Sequence, residues 1–258
     1  MYPPESLSRY RVVLVRTLYA GNVGSVARAM KNMGFDDLVL VEPQCSPQDD
    51  EARMFASGSR ELLDQARIAE SLVAGLDGCQ RAIAFTSRSR SDSDHLLSLP
   101  DLAETLEHET PVSRTALVFG PEDFGLSNED LGFVSHRCQI PTSPAHRSLN
   151  LSQAVLLAAW EVGLRRGRAL GTAEPAPSGD RPDLAELRQL RESLQGMLDR
   201  VGFLNPQNPD HIMRSFWTIL SRADLDAREV AMLRGMVRQV LWKVSGSEVP
   251  AIVAGDDS

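Results

Sequence analysis

The segment "YRVVLVRTLYAGNVGSVARAMKNMG", residues 10–34, joins a strand-like run to a helical pattern. Its first part, Arg11–Arg16, is a continuous run of mostly β-branched apolar residues, which predicts a strand buried on both faces. The part that follows has apolar residues at helical spacing and predicts an amphipathic helix over 22–34. The stripe that should face the sheet consists of Val23, Val26, Ala27, Met30 and Met33.

Similar strand-like runs recur along the first two thirds of the chain. We predict further strands at 37–42, 81–86, 115–120 and 138–141, with helical stretches between most of them. Apolar strands that alternate with helices form a mostly parallel sheet covered on both faces. The sequence therefore predicts the α/β class.

A change in composition marks a second region. The segment "GTAEPAPSGDRP" is rich in Pro, Gly, Ala and Ser, which is typical of a linker. We therefore predict an α/β domain at 1–170, a linker at 171–183, a small all-helical extension at 184–245 and a flexible tail at 246–258. Asp226 and Glu229 have the spacing of a capping box at the start of the last helix of the extension.

The composition limits the functional class only loosely. No apolar run approaches the roughly 18 residues that a membrane span needs, and the N-terminus lacks the layout of a signal peptide, so we expect a cytoplasmic protein without a membrane partner. The three separated cysteines suit reduced thiols better than disulfides or a metal site. The net charge of −8 argues weakly against a nucleic-acid partner. Nearly all the cations are arginine, which suits phosphate contacts but also follows from a GC-rich genome.

The polar side of the first predicted helix carries Asn22, Ser25 and Arg28. These residues follow the first strand, and open α/β sheets bind ligands at the carboxyl ends of their strands. Two alternatives remain open: Asn22 caps the helix and Arg28 is a solvated surface residue. A dinucleotide or phosphate loop is disfavoured, because Gly21 and Gly24 complete neither G-x-G-x-x-G nor G-x-x-x-x-G-K-[ST].

Two more segments place polar residues after strands. In "FGPEDFGLSNEDL", residues 119–131, Glu122 lies between two glycines and Ser127 is positioned to cap a helix; the alternative is a plain acidic turn. In "IPTSPAHRSLNLSQAVLLAAWEV", Ser148, Asn150 and Ser152 precede or begin an almost wholly apolar helix, which we expect to be buried. These polar residues are either helix caps or members of a site.

Taken in order, N-x-G-x-x-A-R, F-G-x-E-x-x-G-L-S and I-P-…-S-L-N-L-S-x-A resemble the SpoU branch of the SPOUT RNA methyltransferases, over Arg11 to Leu164. "FTSRSR" (Phe85–Arg90) and the C-terminal segment are similar to the tRNA 2′-O-methyltransferases that modify nucleotide 32 of the anticodon loop. The alternatives are an rRNA 2′-O-methyltransferase and a non-catalytic RNA-binding relative. An NAD-linked oxidoreductase is disfavoured, since the glycine fingerprint is missing.

The resemblance implies a C-terminal trefoil knot in the α/β domain, which binds S-adenosylmethionine and builds a homodimer interface. It implies tRNA, or rRNA, as partner and requires no metal. The implied catalytic residues are Arg28, Asn22, Glu122, Ser148 and Asn150. The implied cofactor-binding residues are Thr86, Ser87, Arg88, Gly120, Leu126, Ile140, Arg147, Ser148 and Leu149, with Leu151 as an apolar contact.

The family ascribes deprotonation of the ribose hydroxyl to the residue that matches Arg28. Because an arginine side chain stays protonated and is a poor base, we expect Arg28 instead to bind a phosphate and stabilise the developing oxyanion. Two positions depart from the family pattern: Pro121 replaces a frequent arginine, and His146-Arg147 replaces an aromatic and small pair. Both put the exact nucleotide and the set of tRNAs in doubt.

The predicted helical extension has two possible roles, which are tRNA binding and support of the dimer. Its arginines would serve the first role: Arg214, Arg222, Arg234 and Arg238. Its large apolar residues predict a helical core: Phe216, Trp217, Leu220, Leu233, Met236, Leu241 and Trp242. We expect a packed module that also contacts RNA.

Overall fold

The structure is a computed structural model that describes residues 7–87, 96–107, 114–169, 182–204, 209–223 and 225–245. The chain divides into two compact units, Met1–Leu184 and Ala185–Ser258. Most of the predicted linker and all of the predicted tail lie outside the described residues, so the four predicted boundaries stay predictions.

The first unit is built on one seven-stranded sheet. Its order is β3-β2-β1-β6-β4-β7-β5, and all six neighbouring pairs are parallel. The predicted α/β class with a mostly parallel sheet is confirmed. The strands are β1 Tyr10–Val15, β2 Asp37–Val41, β3 Arg67–Ala69, β4 Arg81–Phe85, β5 Leu96–Ser98, β6 Thr115–Phe119 and β7 His136–Gln139.

Seven helices connect these strands or follow them: α1 Ala20–Asn32, α2 Asp50–Phe55, α3 Arg60–Gln65, α4 Leu72–Gly75, α5 Leu99–Glu107, α6 Asn128–Leu131 and α7 Leu151–Ala169. Helix α1 packs against α2 and α7, and α7 also packs against α5. The four central strands β1, β2, β4 and β6 are buried at nearly every position, as their apolar sequences predict.

Strands β3 and β5 were not predicted. Each has three residues and lies at one edge of the sheet, where its side chains are exposed or half-buried. An edge strand this short needs no apolar run, so its sequence carries no periodic signal. Strand β7 begins at His136, two residues before the predicted start, because its pairing with β4 begins with two polar residues, His136 and Arg137.

Helix α1 begins at Ala20, so Tyr19 is its N-cap and Asn22 lies inside the first turn. The interpretation of Asn22 as a helix cap is therefore wrong. The predicted stripe is buried, apart from Met33, which is half-buried. Gly24 serves packing: a Cβ added there would lie 2.1 Å from the carbonyl oxygen of Ala52 in α2. The glycines of "GNVGS" thus let two helices approach closely and form no phosphate loop.

Helix α7 differs from the expectation of a wholly buried helix. One face is buried in the core through Val155, Ala158, Ala159 and Val162. The other face exposes Leu156, Leu157 and Trp160 by 38%, 41% and 48%. The prediction was wrong for this outer face because an apolar composition does not tell which side of a helix the chain itself covers.

The second unit is the predicted helical extension, built from α8 Leu184–Arg200, α9 Pro209–Ala223 and α10 Ala227–Val244. The predicted capping box is confirmed: the N–H of Glu229 donates to Asp226 Oδ1 at 2.7 Å, and the N–H of Asp226 donates to Glu229 Oε2 at 2.9 Å. The buried cluster consists of Leu190, Leu194, Met197, Leu198, Leu204, Met213, Val230 and Val237. Of the large apolar residues predicted for this core, Phe216, Leu220, Leu233 and Leu241 pack against the cluster, whereas Met236 is 47% exposed.

Candidate active site

Four adjacent parallel strands bring their carboxyl ends to one edge of the sheet. Strand β1 leads there into α1, β4 into Thr86, β6 into the loop 120–127, and β7 into the segment 140–150 before α7. The carboxyl edge of an open parallel sheet is where ligands of α/β proteins bind. The three polar segments found in the sequence therefore meet at this edge.

The loop after β6 is a tight turn that depends on glycine. A Cβ at Gly120 would lie 2.4 Å from the backbone nitrogen of Leu126 and 2.5 Å from the carbonyl carbon of Gly125. Gly125 has φ +65, and its N–H donates to the carbonyl of Pro121 at 3.0 Å. The backbone thus folds back on itself at Gly120, and Glu122 extends from the turn.

The end of this loop is held by a cap and an ion pair. Ser127 caps α6 as predicted, and the capping box pairs it with Asp130, whose side chain accepts from the Ser127 N–H at 2.7 Å. Arg16, just after β1, forms ion pairs with Asp130 and with Glu42, the latter at 3.3 Å. Sequence reasoning missed Arg16, because its partners are distant in the chain and only proximity in the fold identifies them.

A row of hydrogen bonds joins the three polar segments. Glu122 Oε2 accepts from the backbone N–H of Leu18 at 3.1 Å, and its Oε1 accepts from Asn22 Nδ2 at 2.8 Å. Asn22 Oδ1 accepts from Asn150 Nδ2 at 3.0 Å. Asn150 Oδ1 accepts from the N–H of Ser152 at 2.9 Å and from its hydroxyl at 2.7 Å. Asn150 therefore caps the start of α7 and also belongs to this network.

The charge of Glu122 fixes the orientation of both amides. An ionised carboxylate only accepts hydrogen bonds, so Asn22 must present its NH₂ group to Glu122 and its oxygen to Asn150. Asn150 must in turn direct its oxygen at Ser152. Each amide has a second N–H that makes no hydrogen bond with any described residue, and these two donors are available to a ligand.

A cavity of about 540 Å³ lies beside the network, and Glu122 is part of its wall. This volume falls in the usual range of small-molecule sites, about 300–1,000 Å³. Most of the residues implied for cofactor binding line it: Thr86, Ser87, Gly120, Leu126, Ile140, Arg147, Ser148, Leu149 and Leu151. Arg88, also implied, lies outside the described residues.

The cavity also has walls that sequence reasoning missed. Phe85 and Phe119 are register partners at the ends of β4 and β6, and their rings stack with centroids 4.5 Å apart. Both are the last residues of apolar strands, and this position could have indicated from the sequence that they lie at the ligand-binding ends of the strands. The other unpredicted members are Pro121, Asp123, Phe124, Gly125 and Ala154.

Arg28 is the one implied catalytic residue of the described chain that joins neither the network nor the cavity wall. It lies on α1 six residues after Asn22, its side chain is exposed, and it makes no hydrogen bond or ion pair with the described residues. Arg147 and Ser148 line the cavity and are exposed. The implied cations are thus solvated, whereas the amides and Glu122 are already held.

Cys45 lies near this site without the properties of a nucleophile. Burial, with smaller contributions from Glu122, Asp49 and Glu51, raises the pKa of its thiol to about 11. The reactive form of cysteine is the thiolate, which is scarce at neutral pH when the pKa is this high.

No group of three or more potential metal-ligating side chains occurs among the residues that the structure describes.

Two family models match the chain. The SpoU rRNA methylase family matches residues 9–160, and the C-terminal domain of the tRNA methyltransferase TrmJ matches residues 185–249. The chain is 36% identical over 242 residues to the tRNA (cytidine/uridine/adenosine-2′-O-)-methyltransferase TrmJ of Pseudomonas aeruginosa, with 90% of this chain and 94% of that protein covered. It is 33% identical to the tRNA (cytidine/uridine-2′-O-)-methyltransferase TrmJ of Pectobacterium atrosepticum, with 91% and 97% covered.

Solved structures agree with this relationship. The crystal structure of TrmJ from Z. mobilis ZM4 superposes with a TM-score of 0.75 at 29% identity and covers 90% of this chain and 98% of its own. A probable methylase family protein from Haemophilus influenzae superposes with a TM-score of 0.62 at 29% identity, with 93% and 98% covered. The resemblance found in the three sequence motifs is therefore confirmed.

Proposed function

The chain belongs to the SpoU methylase family and is a methyltransferase, and on that premise we propose that it methylates a ribose 2′-oxygen of tRNA, at nucleotide 32 of the anticodon loop. The methyl donor in this proposal is S-adenosylmethionine. The observation that carries it is the row Glu122–Asn22–Asn150, in which three separate family motifs are joined by hydrogen bonds beside a cavity of cofactor size.

The cavity fits S-adenosylmethionine by its chemistry. The nearly buried rings of Phe85 and Phe119 make part of the cavity wall apolar, which suits an adenine, and Thr86, Ser87 and Ser148 bring hydroxyls for polar groups. Gly120 has no side chain, so a ligand can approach the backbone peptide groups closely at this position. When bound, the cofactor supplies a methyl group that is already activated by its sulfonium, so the residues around it mainly have to align the acceptor.

Alignment is the task that the hydrogen-bonded row suits. Asn22 and Asn150 each retain one N–H donor, which we assign to hydroxyls of the acceptor ribose. Glu122 orients the amide of Asn22 directly and that of Asn150 through Asn22. Fixed orientation of reacting groups can contribute about 7–11 kcal/mol to the barrier. We assign to Arg28 the neighbouring phosphate and the developing negative charge on the 2′-oxygen.

The C-terminal unit favours tRNA over rRNA as the substrate. Residues 185–249 match the C-terminal domain of a tRNA methyltransferase, and the relatives that cover both units carry tRNA in their names. Arg214, Arg234 and Arg238 are exposed on this unit and suit auxiliary phosphate contacts. The side chain of Arg222, the fourth predicted contact, lies outside the described residues. We place this activity in the cytoplasm, where tRNA is processed.

The decisive experiment uses tRNA transcripts that differ at one atom. The protein is incubated with S-adenosylmethionine and a transcript that carries either ribose or 2′-deoxyribose at nucleotide 32, and the nucleosides are mapped by mass spectrometry. We expect one methyl group per ribose transcript and none on the deoxy transcript. Methylation of both transcripts would show that the target is a nucleotide other than 32. Methylation of an rRNA fragment alone would favour the rRNA alternative. No cofactor binding in calorimetry at millimolar concentration would favour the non-catalytic relative.

The homodimer is a further part of the proposal. Leu156, Leu157 and Trp160 form an exposed apolar face on α7 beside the candidate site, and a second copy of the chain is the partner that we assign to it. In sedimentation, Leu157→Asp should shift the dimer to a monomer. Ile68→Asp, a control with 64% exposure on the edge strand β3, should leave the dimer unchanged. A wild-type monomer at micromolar concentration would contradict the dimer.

The trefoil knot also stays a proposal. It is supported by the sheet order, in which β7 lies between the earlier strands β4 and β5 and leads into the cavity segment. An experimental structure that traces the chain continuously from 86 to 151 would test the knot. A loop that does not pass through another loop would overturn it.

A further inference from the structure

Two large aromatic side chains are exposed next to the polar row. Phe124 is 73% exposed and lines the cavity two residues after Glu122. Tyr19 is 59% exposed and directly follows Leu18, whose N–H donates to Glu122. One carboxylate therefore joins the two segments that carry these rings.

Neither ring belongs to the buried core of the sheet unit. Tyr19 is the N-cap of α1, but its side chain makes no cap hydrogen bond, and its helix is started by the backbone carbonyl, which accepts from Asn22 and Val23. Phe124 lies in the turn that is held by Gly120 and by the backbone hydrogen bond from Gly125 to Pro121. Both rings therefore keep more than half of their surface exposed beside the candidate site, where a ligand can contact them.

The charges around the rings indicate which ligand they suit. Glu122 and Asp123 adjoin Phe124, and position 121 is a proline, so this turn repels phosphate and has no cation of its own. A nucleobase is neutral, has a flat apolar face, and is unpaired in an RNA loop. Proteins recognise such bases by stacking them on aromatic side chains.

We propose that Tyr19 and Phe124 form a stacking platform for unpaired bases of the RNA loop that flank the methylated nucleotide. The proposal rests on the proposed function, since it takes the acceptor ribose to lie against the row of Glu122, Asn22 and Asn150. Stacking accepts any base, because every base has a π face. The platform thus holds the loop in place, while the hydrogen-bonded row aligns the ribose.

The test compares removal of each ring with its replacement by another ring. Tyr19→Ala and Phe124→Ala should each raise KM for tRNA by about 5- to 100-fold, in line with measured losses per stacked base, and should lower kcat less. Tyr19→Phe and Phe124→Trp should recover most of this loss. Ile68→Ala, an equally exposed apolar control on β3, should not change KM.

A second measurement identifies the stacked base directly. Filter binding is repeated with tRNA that is abasic at single loop positions next to the target nucleotide. At the stacked position, the wild type and the alanine variant should bind the abasic tRNA equally. If the alanine variants bind intact tRNA as tightly as the wild type does, the platform is refuted.

Three other outcomes would reassign the rings or separate the two proposals. Weaker S-adenosylmethionine binding in calorimetry on loss of Phe124 would assign that ring to the cofactor, and monomeric variants in sedimentation would assign the rings to a second copy of the chain. Both overturn the platform. Ring-dependent tRNA binding without any methyl transfer by the wild type would overturn the proposed reaction and leave the platform supported.

Discussion

The candidate site has a held half and an open half. In the held half, hydrogen bonds of 2.8 to 3.1 Å join Glu122 to the backbone of Leu18, Glu122 to Asn22, and Asn22 to Asn150. In the open half, Arg28 and Arg147 are exposed, and their side chains make no hydrogen bond or ion pair with the described residues. Groups held in advance lose little entropy when substrate binds, whereas solvated arginines gain their partners from the substrate.

The difference indicates how the two halves divide the work. A row of neutral amides fixed by one carboxylate can align a sugar but carries no charge complementary to RNA. The exposed arginines can bind phosphate but impose no geometry alone. Substitutions should therefore act differently in the two halves.

Arg28→Ala should lower kcat for tRNA by about 100- to 1,000-fold, the loss typical of one group that stabilises developing charge. Its thermal midpoint should not change, because the side chain is exposed and pairs with none of the described residues. Arg114→Ala is the matched control: Arg114 is also exposed, but it precedes β6 and so lies at the amino ends of the strands, opposite the candidate site. Near-full turnover by Arg28→Ala would contradict the assignment of Arg28 to the developing negative charge on the 2′-oxygen.

Gly120→Ala should weaken S-adenosylmethionine binding at least tenfold in calorimetry and destabilise the fold by about 1–3 kcal/mol. The physical reason is the 2.4 Å approach of the new Cβ to the backbone nitrogen of Leu126, which only a shift of the turn can relieve. Gly196→Ala, where the new Cβ meets open space on α8, should instead keep or raise stability. Equal behaviour of the two variants would contradict the role assigned to the turn.

Glu122→Gln should lower kcat about tenfold with little change in cofactor affinity. The Gln amide keeps one oxygen that can accept a hydrogen bond, but its NH₂ group would face the N–H of either Leu18 or Asn22, and one of the two hydrogen bonds would be lost. A hydrogen bond to a charged group is worth about 1.5–3 kcal/mol. Glu129→Gln on the exposed side of α6 is the control. If Glu122→Gln kept full turnover, the orientation of the two amides would not depend on charge.

Cys45→Ala should change turnover by less than about twofold. Because burial raises the pKa of Cys45 to about 11, the thiol stays protonated below that pH and ionises only as the pH approaches it. Alkylation by iodoacetamide should therefore be slow at pH 7 and accelerate steeply towards pH 11. Rapid labelling at pH 7 with loss of activity would place a nucleophile in the held half.

Sequence reasoning worked best where one element carries its own signal. The apolar runs of β1, β2, β4 and β6, the stripe of α1, the N-cap of α6 and the capping box of α10 depend on neighbours within a few residues. It failed where the signal lies in a distant partner. The sequence disfavoured a phosphate loop at Gly24 but did not predict its close approach to Ala52 of α2, and the outer face of α7, which was expected to be buried, is exposed.

The α/β class, the helical extension and the residue types of the three motifs could be predicted from the sequence, because periodicity and caps are local properties of the chain. The contacts of Glu122 with Asn22, 100 residues away, and of Asn22 with Asn150, 128 residues away, became known from the folded chain alone. The same holds for the exposure of Arg28, Tyr19 and Phe124. The reason is that contacts and solvent access depend on the order in which the strands pair, with β6 beside β1 and β7 beside β4, and no short stretch of sequence encodes that order.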